Sequence, residues 1–570
     1  MANCKQHHKA CRIPDLTFKP TRLIDVGRAE EGRGPHLMRP KDAVQYAALS
    51  YCWGPKSDVQ SVLKTKKTNI DHYMTNIPLQ LLPQTIQDAI KLCQGINIRY
   101  LWVDSLCILQ DDKDDWSRES GLMRHIYYNS YLTITAAYPD SCKKGFLGKQ
   151  SLGERGWQRR FRAKDEFDEV SDKFCIRLGS TKSATDEDDS PLSKRGWTLQ
   201  ESILPICKII FNGEEMKWTC NEETFCECGH LIGHHEEDFP DLKGAESPIV
   251  IGLPGGQSPH LRAWIQVVRE YSNRKLTEPM DKLSAVSGLA QFFQEANTPE
   301  QEKSDTYLAG LWRDNLQFWL TWRVDSLREY THSRPLPYRA PTWSWASVDG
   351  PVQYHDIDNS GELQPCDFNI HEWRSNPAPP GNDRTGAVVS AHLLVSGLFA
   401  PVQLVVEDTH SFLHPEPFFQ ECVYQLFGDG TGGVQVLHLI TSPLYQESKY
   451  PSFAARGVHL IRGRNFRMHD VCVDIPMAVN LRKDDTCYTC WHQGSGCDVC
   501  SFDVNPQFFC LKVCRQRYDG PESSLVYSLI LKRSFTVKDA FERVGMGCWL
   551  LDSNDEGPWK GAERATIKLV

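Results

Sequence analysis

Two apolar runs, YAALSYCWG over 46–54 and RYLWVDSLCILQ over 99–110, break off abruptly into Ser, Cys, Asp or Gly. Runs this short and this apolar read as strands buried on both faces, and polar residues at their ends mark the rim of an open α/β sheet, where ligands bind. The surrounding pattern alternates: strand 46–52, helices 58–73 and 83–96, strand 100–106, helix 115–129, strand 131–137. That order predicts an α/β fold. Pro83 stands where its missing N–H costs nothing, and Ile86, Ala89, Ile90, Cys93 and Ile96 recur at helical spacing, so this helix packs on the sheet. The next helix, capped by Asp114 or Asp115, is expected to bury Trp116, Met123, Ile126 and Tyr127 and to hold Glu119 close to the rim.

A chain of 570 residues is too long for one hydrophobic core, so two or three domains are expected. Residues 1–45, rich in Pro, Gly, Arg and Glu, read as an arm or a loosely attached strand region. A domain over 46–250 follows, with its core at 46–201; the charged stretch 151–192 reads as an insertion, after which RGWTLQE (195–201) forms a short helix and SILPICKIIF a strand. A Gly- and Pro-rich linker over 252–260 ends it. Apolar helices are predicted at 262–276, 280–296 and 305–321, forming a helical layer within 261–350, and the β-branched, alternating remainder, 351–570, reads as mainly β. Trp343 and Trp345 alternate with Thr342, Ser344 and Ala346, which in a strand would put both rings on one side.

The formal charge of −9 lacks the basic excess of a phosphate-backbone binder, so no nucleic-acid partner is expected. No apolar stretch is long enough for a membrane span, and the start MANCKQHHKACRIP has no signal-peptide core, so a cytoplasmic location is expected. The 21 cysteines then read mostly as free thiols with room for one metal site. Cys487, Cys490, Cys497 and Cys500 form two CxxC pairs, each with the bite that tetrahedral zinc needs, although the gap between them is shorter than the usual spacing of about fifteen to twenty residues. A structural zinc there is the candidate, against free thiols. Cys220, Cys226, Cys228 and His230 read as loop thiols, and Cys4, His7, His8 and Cys11 as a group that could ligate metal but lies in a frayed terminus. The chain has no GxxxxGK[ST], no GxGxxG after a strand, no HExxH and no GxSxG, which leaves P-loop, dinucleotide-fold, zincin and serine-hydrolase chemistry without support.

Asp104 ends the LWVD run, where a carboxylate is costly unless hydrogen-bonded or in contact with a ligand, so it and Ser105 are substrate-binding candidates; equally, Asp104 could cap a neighbouring helix. Glu119 and Glu201 are the catalytic candidates, each following a tryptophan, Trp116 or Trp197, that could exclude water and retune it. Against this, Glu119 could pair with Arg118 or Arg124 on a solvated face and Glu201 could cap its helix. Trp53, Trp116 and Trp197 complete the candidate substrate-binding set.

YAALSYCWG, RYLWVDSLCILQ and RGWTLQE, with LPQTIQDAI (82–90) and DDWSRESGLMRHIYYNSYLTITAA (114–137) between them, resemble the fungal heterokaryon-incompatibility (HET) domain. YSNRKLTEPMDKLSAVSGLA, YLAGLW and RAPTWSWASVDG look like the region that follows it in this family. The resemblance implies a self/non-self recognition effector that triggers incompatibility and programmed cell death, acting through self-association and an unidentified protein partner. It also implies kinship with Toll/interleukin-1 receptor (TIR) domains, hence a TIR-like N-terminal fold, NAD as a substrate with no cofactor required, and for Glu119 of the Trp116–Glu119 block the role of the glutamate facing the nicotinamide ribose. This chain departs from that pattern in having Ser117 where TIR domains have Cys. The alternative is a non-enzymatic signalling module acting by self-association or recruitment.

Overall fold

A computed structural model of the chain describes residues 4, 7–11, 15, 17–27, 32–60, 62–147, 158–164, 170–177, 190–213, 216–227, 259–297, 307–324, 334–335, 337–354, 363–366, 368–378, 383–408, 420–428, 434–441, 467–473, 508–518, 523–552, 559 and 561–570. The chain divides into two compact units, one made of Met1–Ile249 with Arg274–Thr277 and Ser284–Ala296, the other of the remaining segments. In chain order the described helices are α1 (Lys56–Val59), α2 (Ile70–Tyr73), α3 (Gln84–Gly95), α4 (Asp104–Cys107), α5 (Lys113–Tyr128), α6 (Thr198–Ile203), α7 (Pro259–Ser272), α8 (Ser284–Asn297) and α9 (Leu316–Trp319).

The first unit is a mixed α/β structure. Its strands are β1 (Leu23–Asp25), β2 (His36–Met38), β3 (Tyr46–Ser50), β4 (Tyr100–Trp102), β5 (Leu132–Ala136), β8 (Cys207–Phe211), β9 (Met216–Cys220) and β10 (Thr224–Cys226); β6 (Gln158–Lys164) and β7 (Val170–Arg177) form a separate antiparallel hairpin inside the stretch expected to be an insertion. The eight-stranded sheet has the order β10-β9-β8-β5-β3-β4-β1-β2. Its centre, β4-β3-β5-β8, is parallel, and antiparallel pairs flank it on both sides. All five residues of β3 and of β5 are buried, as expected of strands covered on both faces.

Several expectations are corrected. Of the two readings of 1–45 the strand one holds, though not as a loose attachment: β1 and β2 extend the sheet beyond β4. The helix expected over 58–73 is two separate turns, because the segment between α1 and α2 is held in extended form by Thr65, whose N–H and hydroxyl bond the carbonyls of Ser105 and Leu106 at 3.0 and 2.6 Å. The strand expected to run through 106 stops at Trp102, and Asp104 opens α4 instead. Helix α5 is capped by Asp112, whose carboxylate accepts from the backbone N–H groups of Asp114 and Asp115.

Arg22, just before β1, fastens that flank to the helices. Its Nε donates to the Cys107 carbonyl at 2.6 Å and its Nη2 to Asp115 Oδ2 at 2.5 Å, while the Leu109 N–H donates to the same carboxylate oxygen at 2.8 Å. Glu119 Oε1 lies 3.8 Å from Arg22 Nη2 and 3.4 Å from Arg118 Nε, and its side chain is fully buried. Helix α8 closes the other side of α5: Arg124 Nη1 donates to Glu295 Oε1 at 2.5 Å, and a Cβ at Gly288 would stand 2.5 Å from Gln200 Oε1 and 2.9 Å from Arg124 Cβ, so only glycine lets this helix approach.

The second unit holds α7, α9 and strands β11 (Tyr307–Leu308), β12 (Leu311–Trp312), β13 (Arg323–Val324), β14 (Val352–Gln353), β15 (Leu363–Pro365), β16 (Asn369–Pro377), β17 (Val388–Asp408), β18 (Gln420–Gly428), β19 (Val434–Thr441), β20 (Arg467–Val473), β21 (Phe508–Tyr518), β22 (Ser523–Arg533), β23 (Ala540–Asp552) and β24 (Glu563–Leu569). A ten-stranded sheet closes on itself through β21-β22-β23-β24-β17 and the further pairing of β17 with β21, which makes a β-barrel. The helical layer does not form as expected: 305–321 is the β11–β12 hairpin followed by the single turn α9, and α7 and α8 fall in different units. The Trp343–Trp345 stretch is a 3-10 turn over Trp345–Ser347 rather than a strand. Both indoles are still buried, Trp345 Nε1 donating to the Gly310 carbonyl at 2.8 Å, while Trp322 Nε1 donates to the Trp343 carbonyl at 2.8 Å. Arg543 of β23, fully buried, lies 3.6 Å above the Trp322 ring and donates to the Leu320 carbonyl at 2.7 Å.

The Arg22 network generates one expectation. Arg22→Ala leaves the buried Asp115 and Glu119 carboxylates with only the half-exposed Arg118 as a shared cation and should cost about 3 kcal/mol, the low end for breaking a buried pair, in a denaturant titration of the full chain, with Arg22→Lys recovering part of it. An unchanged midpoint for Arg22→Ala would show that these carboxylates do not need it.

Candidate functional site

The carboxyl ends of β3 and β4 carry the polar residues at which their apolar runs stop, and RGWTLQE returns to the same place through α6. Ser50, the last residue of β3, donates its hydroxyl to Glu201 Oε2 at 2.5 Å. Beyond it, Tyr51 Oη donates to Ser105 Oγ at 3.0 Å and Trp53 Nε1 to Asp104 Oδ2 at 2.9 Å, while the Ser105 N–H donates to Asp104 Oδ1 at 2.6 Å. Gly54 then turns the chain with φ +103°; a Cβ there would lie 2.8 Å from Ser141 Oγ, so glycine is required on both counts. Strand β3 lies between β4 and β5, so the chain runs outward to β4 and then crosses back to β5. Such a reversal opens a crevice at the strand ends, the usual ligand position in open α/β sheets.

The electrostatics single out Glu201. Burial pushes its carboxyl up to about 7, against the opposing pull of the Ser50 hydrogen bond and the Arg195 charge, with the neighbouring Asp104 adding to the rise. Asp104 is also raised by burial, opposed by its bonds to Trp53 and the Ser105 N–H and by Arg195. Tyr127 of α5 reaches the same spot, its hydroxyl donating to the Leu49 carbonyl at 3.2 Å. Burial pushes the Cys52 thiol up to about 11 and the Cys107 thiol up to about 12, so neither is a ready thiolate nucleophile. Lys64 Nζ stands 4.9 Å from the centre of the Trp53 ring. Trp53, Asp104 and Arg195 are only partly buried, so the cluster reaches solvent at its rim while Glu201 lies beneath. Two carboxylates, one held near neutrality, beside an arginine and an indole suit proton transfer or stabilisation of a developing positive charge.

The structure thus brings Trp53, Asp104, Ser105 and Glu201 together. Trp116 and Trp197 meet edge to face with ring centres 6.0 Å apart, pinning α5 against α6. Glu119 is placed differently. Its charge is set by burial, which raises it, and by Thr21, Arg22, Asp115 and Arg118, whereas Glu201 answers to Ser50, Asp104, Arg195 and Tyr127; the two sets share no member. The bland expectations hold only in part: Glu201 bonds Ser50 rather than capping its helix, while Glu119 does pair with Arg118, as expected, but fully buried rather than on a solvated face. Ser50, Tyr51 and Arg195 were not singled out from the sequence, although they stand inside the blocks that were, and Tyr127 was read only as a buried helix residue. Cys487, Cys490, Cys497 and Cys500 lie outside the described residues, as do Cys228 and His230. Cys226, expected to be a free thiol, is disulfide-bonded.

Residues 46–201 match the family model described as heterokaryon incompatibility protein (HET). The chain carries a HET domain. No curated protein and no solved structure matches it. The HET match opens on the first residue of β3 and ends on Glu201, so the Ser50–Glu201 hydrogen bond joins its two ends in space. The domain connects the chain to heterokaryon incompatibility. No helix among the described residues is long and apolar enough to cross a membrane.

The raised carboxyl of Glu201 has a consequence for stability. The unfolded chain releases this proton near the usual value of 4.5 and the folded chain at about 7, so between those limits the folded state holds more protons and stability falls as pH rises through the window. Glu201→Gln removes that contribution, on the order of 3 kcal/mol for a shift of this size at about 1.4 kcal/mol per pH unit. Comparing thermal or denaturant midpoints of the two proteins at pH 5 and pH 8 should show the variant gaining on the wild type at the higher pH. Parallel profiles would mean that Glu201 ionises normally.

Proposed function

We propose that the HET domain is a self/non-self recognition effector whose rim cleaves NAD, with Glu201 as the catalytic carboxylate and Asp104 beside it, and that this activity drives incompatibility-linked cell death. The observation that carries the reading is the buried Ser50–Glu201 contact at the point where the sheet order reverses. Numbered from β3, the parallel strands are ordered 2-1-3-4, the start of the doubly wound arrangement whose ligands sit between strands 1 and 3, and this order supports a TIR-like reading of the domain.

In the reaction, the bond between the nicotinamide nitrogen and ribose C1′ breaks, its electron pair passing to the ring nitrogen, so that neutral nicotinamide leaves without being protonated. The ribose becomes an oxocarbenium ion. Water adds at C1′ and gives up a proton, completing ADP-ribose. An ionised Glu201 stabilises the cation or takes the proton from the attacking water. Trp53 offers a face for a planar ring, and Arg195 and Lys64 offer positive charge for the phosphates. Glu119, held beside Arg22 and Arg118, is assigned a structural role, in contrast to the role that the TIR resemblance implies for it. Self-association and a protein partner belong to the same proposal, as the route by which the site is switched on.

The test is release of nicotinamide from NAD by the full chain, at dilute and at high or crosslinked concentration. Glu201→Gln and Asp104→Asn should lower the rate by about a hundredfold or more, Glu119→Gln should stay within a few-fold of wild type, and the rate should rise with pH through about 7 as Glu201 ionises. A wild-type protein that releases no nicotinamide in any assembly state, or a folded Glu201→Gln variant that still kills cells fully, would replace this reading with the non-enzymatic one.

A further inference from the structure

The N-terminal Cys/His group, expected to be frayed, is packed against the hairpin of β9 and β10. Cys4, Cys11 and Cys220 are buried free thiols. One sulfur from each of them and one ring nitrogen of His8 all lie within 4.8 Å of one another, and this is the group of potential metal ligands found among the described residues. His8 Nδ1 is 3.7 Å from Cys11 Sγ and 3.4 Å from Cys220 Sγ. Zinc bonds of about 2.3 Å to sulfur and 2.0–2.1 Å to nitrogen, at tetrahedral angles, give S···N edges of roughly 3.6 Å. The two S···N separations bracket that edge, and the remaining donors lie within the 4.8 Å that encloses the group.

The surroundings agree. The other ring nitrogen, His8 Nε2, lies 3.2 Å from Glu223 Oε2, the carboxylate partner that fixes a ligating imidazole with its free lone pair on Nδ1. The Glu223 N–H points at Cys220 Sγ from 3.4 Å, a contact that favours a thiolate. The backbone is set independently of the sulfurs, with Ala10 N–H donating to Glu222 Oε1 and Asn221 Nδ2 to the Ala10 carbonyl, both at 2.8 Å. A core of plain thiols would need neither an imidazole aimed into it nor a carboxylate behind that imidazole. Cys207, paired opposite Cys220 in the β8–β9 register, has its sulfur 3.8 Å from Cys4 Sγ, a fourth sulfur beside the four donors.

We infer that Cys4, His8, Cys11 and Cys220 bind one structural zinc ion, the histidine through Nδ1. With four protein donors the site is closed, and its work is mechanical. It clips the start of the chain to the hairpin at one edge of the sheet, while β1, which follows, lies near the opposite edge. Three thiolates and an imidazole select zinc over hard cations.

The test uses the full chain carrying Cys487→Ser, Cys490→Ser, Cys497→Ser and Cys500→Ser, which removes the two C-terminal CxxC pairs as a source of metal. Stripped with a chelator under reducing conditions and titrated with zinc, this protein should take up about one equivalent, and its cobalt form should show thiolate-to-metal charge transfer and the intense visible bands of a tetrahedral site. Adding Cys220→Ser should abolish stoichiometric uptake. Adding Glu223→Gln, which leaves all four donors in place, should weaken zinc about 10- to 100-fold. Absence of zinc from the background protein, a cobalt spectrum without thiolate charge transfer, or full retention in Cys220→Ser would each overturn the assignment, and the cobalt spectrum decides even if Cys220→Ser does not fold.

Discussion

The rim of the HET domain depends on one buried hydrogen bond, between the Ser50 hydroxyl and Glu201, groups 151 positions apart in the chain. A carboxylate taken out of water costs several kcal/mol unless polar groups receive it. Ser50 at the end of β3, Tyr127 on α5 and the charge of Arg195 are what receive this one. The same need draws three elements to one point, and the tryptophan pair across α5 and α6 holds them there without adding charge.

Burial alone does not distinguish the two acids, since Glu119 and Glu201 are both buried and both raised. What separates them is the company each keeps. Glu119 lies among Arg22, Arg118 and Asp115, deep against the flank that β1 completes, where charges offset one another. Glu201 has the Ser50 and Tyr127 hydroxyls, one arginine at the partly open rim and a second carboxylate nearby, and burial outweighs them to raise its carboxyl to about 7.

Much of the parallel centre was legible in the sequence, because strands covered on both faces carry uninterrupted apolar runs and helix α3 repeats its buried residues at a regular spacing. The ends of elements were less so. Thr65 overrides a helical pattern by bonding carbonyls of the short helix α4, about forty positions later in the chain, and no local rule can see that partner. The TWSW stretch has the alternation of a strand, yet its tryptophans are buried by a 3-10 turn in which Ser344 accepts the N–H of Ala346. At the site, the acids were visible as residues out of place in apolar surroundings, but choosing between Glu119 and Glu201 required knowing which of them met β3. The sulfur and histidine residues of the N-terminus were visible as chemistry, but Cys220, more than two hundred positions away, stands beside Cys4, His8 and Cys11 where the sequence offered His7.

The family match and the folded unit do not coincide. Residues 46–201 include β3, β4 and β5 of the main sheet, whereas β1 and β2 on one flank and β8, β9 and β10 on the other come from outside it. A fragment cut at those limits would strip both neighbours from a three-stranded parallel ribbon and leave the backbone groups of β4 and β5 unpaired along apolar edges. Ribbons of that kind pair with one another. Aggregates formed by such fragments would therefore reflect the missing edge strands, and cannot be taken as a sign that the intact protein polymerises.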